Sequence, residues 1–125
     1  PLEQLVERTE RHLWGFAANG TTTVECKSGY GLSPADEEKS LLALQQAAAR
    51  VPLQTKRTFL GAHEIPREYR ELPQGREAYL SELCDVMLPA VAAQGLARFA
   101  DIFCEPGVFT VAESRRYLET AARHG

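Results

Sequence analysis

Three β-prone stretches, each running out into a turn and each followed by a helical stretch, leave this chain few folds to adopt. They are residues 21–27, 57–62 and 99–104. They recur about every 35 to 40 residues, the size of one βα unit. Alternation of this kind implies an α/β fold with a parallel sheet and right-handed crossovers. The chain has 125 residues, enough for one modest core.

A leading helix is expected over residues 2–19, where Leu2, Leu5, Val6, Thr9, Leu13 and Phe16 keep helical spacing and Gly20 is a natural stop. Trp14 and Phe16 are expected to pack against whatever this helix covers, and His12 reads as a surface or packing residue. Ser33 before Pro34, with acids in the following turn, marks the start of a second helix that ends near Pro52. Residues 64–75 read as a loop over the end of the second strand. A long helix follows from near Arg76 to Gly95, with Pro89 expected to kink or restart it. Thr110 and Glu113 have the spacing of a capping box for the last helix.

The totals exclude some functions. The net charge is −3 and the basic residues are scattered, unlike the clustered positive face of a nucleic-acid binder. No apolar run is long enough to cross a bilayer and no signal-peptide pattern opens the chain. Cys26, Cys84 and Cys104 are odd in number and have no CxxC spacing. They read as small, buried, reduced thiols of a cytoplasmic protein. The start at Pro1, directly into helical periodicity, reads as a piece of a longer protein.

Polar chemistry is concentrated in residues 21–32, TTTVECKSGYGL. Three threonines and a valine suit a strand. Glu25 and Lys27 in that strand are costly to bury unless paired or used. Gly29 and Gly31 flank Tyr30 and let the backbone approach a ligand closely. Parallel strands end on one side, so Lys27, Ser28 and Tyr30 should meet His63 and Glu105 on a common rim. Each residue also has a plainer use: Glu25 with Lys27 as an ion pair, His63 bonded to a loop carbonyl, Glu105 ordering its own turn.

The stretches VECKSGYGL, FLGAH and DIFCEPGVF, in this order, resemble the central part of the imidazolonepropionase family of metal-dependent amidohydrolases. The resemblance runs from about Gly20 to the end of the chain. It implies a partial (β/α)8 TIM-barrel segment: about three parallel βα units with a leading helix, residues 1–125 forming one segment of the catalytic domain. A complete barrel needs about 250 residues. The resemblance further implies hydrolysis of 4-imidazolone-5-propanoate to N-formimidoyl-L-glutamate in histidine degradation, by metal-activated water attack on the ring amide. Tyr30 of SGYGL and His63 of GAH would bind the substrate. The metal, zinc or iron, would be held outside this segment; there is no HxH pair here, and His124 reads as a helix-end residue. The implied partners are the small-molecule substrate, the rest of the barrel and a second copy in a homodimer, with no nucleic acid and no membrane. The segment alone is expected to be inactive.

Other readings of the same residues are another amidohydrolase acting on a cyclic amide, a Schiff-base lyase with Lys27 as nucleophile, and a non-catalytic doubly wound ligand-binding module.

Overall fold

The computed structural model describes residues 1–125. The element order is α1 (Leu2–Ala18), β1 (Thr23–Lys27), α2 (Pro34–Ala48), β2 (Gln54–Ala62), α3 (Arg67–Arg70), α4 (Gly75–Glu82), a π turn (Leu83–Met87), α5 (Leu88–Ala93), β3 (Phe99–Ile102) and α6 (Val111–Arg123). The strands form one all-parallel sheet in the order β1-β2-β3. This is three consecutive βα units behind a leading helix.

The monotonic strand order decides where the helices go. Right-handed crossovers between neighbouring parallel strands place every connecting helix on the same face of the sheet. Burial follows that rule. Val24 and Cys26 of β1 pack with Val6, Leu13, Ala43 and Ala47 of α1 and α2. Phe59 and Ala62 of β2 and Ile102 of β3 join Leu80, Leu83, Met87, Leu88 and Tyr117 in the larger core. The alternate residues Glu25, Lys27 and Lys56 are exposed on the other face, as are Phe99 and Phe103 along β3. A doubly wound sheet needs a reversal of strand order to cover its second face, and this sheet has none.

Several expectations are refined. β1 begins at Thr23, although the carbonyl of Thr22 already accepts from the amide of Gln54 at 2.9 Å. β2 begins at Gln54, three residues before the first position expected from the sequence, because Gln54 to Lys56 pair with the start of β1. The stretch expected as a loop holds the short helix α3. Pro89 does restart its helix, by way of the π turn just before it, which accommodates the missing amide hydrogen. The capping box at Thr110 and Glu113 is formed in both directions. Trp14 and Phe16, expected to pack, are 47% and 49% exposed. Val6 and Leu13 take the buried stripe of α1 facing α2, and one partner helix covers only one stripe. Of the three thiols, Cys84 is buried, Cys26 half-buried and Cys104 exposed, because β3 ends at Ile102 and Cys104 lies in the following turn. His12 is exposed.

No helix is long and apolar enough to cross a membrane.

Gly75 shows how closely the cover of β2 is packed. A Cβ there would lie 1.5 Å from the carbonyl oxygen of Tyr69, a backbone atom that has no room to yield. Gly75→Ala is therefore expected to destabilise the protein by about 2 kcal/mol or more, read as a lowered midpoint in denaturant unfolding. An unchanged midpoint would show that α3 shifts freely against α4.

Candidate functional site

The loop after β1 is built around a carboxylate. Glu37, in the first turn of α2, is 1% exposed. Its Oε1 accepts from the amides of Gly31 at 2.7 Å and Leu32 at 3.0 Å, and its Oε2 from the amide of Gly29 at 2.9 Å. A buried carboxylate is costly unless hydrogen-bonded. Three backbone donors supply that satisfaction, and the positive end of α2 adds to it. Ser33 caps the same helix by accepting from the amide of Asp36.

Drawing three amides onto one carboxylate curls the backbone tightly. Gly29 has φ +117°, and a Cβ there would lie 2.8 Å from the carbonyl oxygen of Leu60. Gly31 lies against the first turn of α2, where a Cβ would sit 2.6 Å from the backbone of Asp36. Leu32 takes the left-handed region at φ +53°, which costs a non-glycine residue about 1–2 kcal/mol. Between these residues Tyr30 is turned outward, 88% exposed.

β2 fixes the loop from the other side. The amide of Ser28 donates to the carbonyl of Thr58 at 3.1 Å, and the Ser28 hydroxyl accepts from the amide of Leu60 at 3.1 Å. Ser28, 4% exposed, thus extends the β1–β2 pairing past the end of β1. His63 follows β2 and bonds through Nδ1 to the carbonyl of Gly29 at 2.9 Å. A carbonyl only accepts, so Nδ1 carries the proton. The Tyr30 and His63 rings meet edge to face with centroids 4.9 Å apart, and Phe103 lies 5.7 Å from His63 on its way out of β3.

Below this aromatic cluster, the bare sheet face carries a polar group. Lys27 donates to Asp101 at 2.7 Å and lies 3.7 Å from Glu25. The buried Thr58 hydroxyl donates to Glu25 at 2.6 Å. The hydrogen bond to Asp101 raises the Lys27 pKa above that of an ordinary lysine, and the nearby carboxylate charges of Asp101 and Glu25 add to the effect. That is the opposite of what a Schiff-base nucleophile needs.

Four of the five residues expected on the rim come together there: Lys27, Ser28, Tyr30 and His63. Glu105 does not join them; its carbonyl accepts from the amide of Val108 in the turn after β3. Asp101, Phe103, Thr58 and Glu37 complete the site and were not singled out from the sequence. Alternation along β3 would have placed Asp101 and Phe103 on the bare face. Glu37 reads in sequence as one of several acids favourable to a helix start, and nothing there distinguishes it as buried. No three His, Cys, Asp or Glu side chains gather to hold a metal ion, so the residues present do not fit a metal centre.

The chain is similar over almost its whole length to part of several imidazolonepropionases, although no family model matches it. It is 59% identical over 123 residues to the imidazolonepropionase of Symbiobacterium thermophilum, a match covering 98% of this chain and 28% of that protein. It is 47% identical over 124 residues to that of Alkaliphilus metalliredigens, covering 99% of this chain and 29% of the relative. The corresponding enzyme of Brevibacillus brevis is 46% identical over 123 residues. The chain spans under a third of the length of these relatives.

Because Lys27 is held protonated between two carboxylates, borohydride reduction with a carbonyl compound at neutral pH is expected to leave Lys27 unmodified in peptide mass mapping. A reduced adduct on Lys27 would overturn the ion-pair assignment.

Proposed function

We propose that this chain is part of the catalytic (β/α)8 barrel of a metal-dependent cyclic-amide hydrolase, acting on 4-imidazolone-5-propanoate to release N-formimidoyl-L-glutamate in the cytoplasmic breakdown of histidine. The observation that carries the reading is the Tyr30–His63 pair. Both side chains stand at the C-terminal ends of neighbouring parallel strands, where barrels of this kind bind substrate. Both lie in the stretches that resemble the family, and the 59% identity to a named imidazolonepropionase supports the choice of substrate. The one-sided sheet supports the barrel. Its bare face carries the Glu25–Lys27–Asp101 group, which a surrounding ring of further strands would enclose.

In this reading Tyr30 and His63 bind and orient the substrate ring. The phenol offers one hydroxyl at the rim, and the imidazole, held by the Gly29 carbonyl, presents its other edge. Phe103 closes the apolar side. Glu25, Lys27 and Asp101 hold one another and serve to fix the strand ends. Zinc or iron would be held by residues outside this segment and would supply the activation of the attacking water.

The test is hydrolysis of 4-imidazolone-5-propanoate by the intact protein before and after substitution, with bound metal measured in parallel. Tyr30→Phe is expected to lower kcat/KM about 10-fold and His63→Ala about 100-fold, corresponding to about 1.4 and 2.7 kcal/mol of lost binding. Metal content should stay constant in both. The 125-residue segment alone should show no turnover. Unchanged turnover in both variants would redirect the search to another cyclic-amide substrate.

A further inference from the structure

We infer that Glu37 is a positioning residue that locks His63 in its Nδ1–H tautomer, so that Nε2 faces the ligand as a hydrogen-bond acceptor and selects a ring N–H. The choice of ligand rests on the function proposed above; the tautomer and its control do not.

The carbonyl of Gly29 accepts from His63 Nδ1 at 2.9 Å, which fixes the proton on Nδ1. A neutral imidazole with its proton there has an unshared pair on Nε2. What fixes the Gly29 carbonyl is the carboxylate beneath it. Glu37 holds the amide of Gly29 on one side of the Gly29–Tyr30 peptide and the amide of Gly31 on the other. That peptide has little freedom to rotate while both neighbours are held. The backbone of Gly29 also lies against Leu60 and His63 themselves, leaving no room for a different path. His63 has no other protein hydrogen bond, so the Gly29 carbonyl alone chooses its tautomer. An acceptor at Nε2 beside the Tyr30 hydroxyl then matches a cyclic amide, whose ring presents an N–H donor beside a carbonyl acceptor. It disfavours an analogue whose matching ring atom is N-methyl or oxygen.

The substitution that isolates the effect is Glu37→Gln. The Gly29 amide donates to both oxygens, at 2.9 Å to Oε2 and 3.2 Å to Oε1. A glutamine keeps the Oε1 carbonyl, which Gly31 and Leu32 share, but turns an NH2 against the shorter Gly29 bond, donor against donor. The hold on Gly29 is then loosened without removing the side chain from the core.

Two-bond proton–nitrogen NMR of the imidazole rings reads the tautomer directly in the intact protein, with the His63 signals assigned by their loss in His63→Gln. The wild-type spectrum should show the Nδ1–H pattern alone. A pure Nε2–H pattern would overturn the assignment, and this needs no variant to fold. In Glu37→Gln the pattern should become a mixture of tautomers, and kcat/KM for 4-imidazolone-5-propanoate should fall at least 10-fold at constant metal content. An unchanged Nδ1–H pattern in that variant would overturn the control by Glu37. Were Glu37→Gln not to fold, Gly31→Ala tests the same link, since its Cβ would collide with the first turn of α2 and move a second Glu37 donor. A wild-type protein that fails to hydrolyse the substrate while showing the Nδ1–H pattern would overturn the ligand and the functional reading, and leave the tautomer lock in place.

Discussion

The carboxylate of Glu37 is the interaction on which the rest of the site depends. It is almost fully buried and has no basic side chain as its partner. Its acceptors are filled by three backbone amides, and those amides exist in that arrangement only because Gly29, Gly31 and Leu32 adopt a curled path. The dependence is mutual. Without the loop, Glu37 would be a buried charge with empty acceptors. Without Glu37, the loop would have three inward amides and no acceptor, each costing about 1–3 kcal/mol if left unsatisfied. Neither half is stable without the other, so the loop has one conformation available to it. Tyr30 is exposed because every neighbour on that loop is turned inward.

The sheet imposes the second constraint. Strands in the order β1-β2-β3 with helices on one face leave the opposite face bare. On that face Glu25, Lys27, Asp101 and Thr58 satisfy one another across all three strands. In contact with water such pairs contribute little, about 0–1 kcal/mol each. Their value is geometric. Register places Glu25 opposite Lys56 and Lys27 opposite Thr58, so the charged group ties β1, β2 and β3 together on the bare face, on the same strands that run out into the aromatic cluster. Parallel sheets are found with both faces covered, which makes this self-satisfied polar face suited to the inside of a larger closed structure.

Much of this was legible in the sequence because it rests on local rules. The β-branched run ending at Lys27, the Ser33-Pro34 helix start and the capping box at Thr110 each state their structure within a few residues, and the structure has them. Tyr30 and His63 were legible as neighbours because parallel strands end together. What was hidden depends on partners distant in sequence. The first half of β2 is polar, and only pairing with β1 makes Gln54 to Lys56 a strand. Trp14 and Phe16 look like core residues until the width of the single helix covering α1 is known. Glu37 was hidden for the same reason. An acid in the first turns of a helix is ordinary, and its burial depends on a loop folding back over it.

The loop's attachments show why the site is a device of two strands. β1 supplies the loop, but β2 supplies its anchors: Thr58 and Leu60 hold Ser28, and His63 holds Gly29. Tyr30 is therefore located relative to β2 as much as to its own strand. A change at the helix start of α2 reaches the His63 ring through two hydrogen bonds at one residue, from the carboxylate to the Gly29 amide and from the Gly29 carbonyl to Nδ1. Each is a hydrogen bond under 3 Å with a single available partner. A chain of this kind transmits orientation rather than charge, because the Gly29–Tyr30 peptide that carries the carbonyl lies between two peptides whose amides, Gly29 and Gly31, Glu37 holds. The orientation of the His63 ring is then decided by a residue that does not touch it.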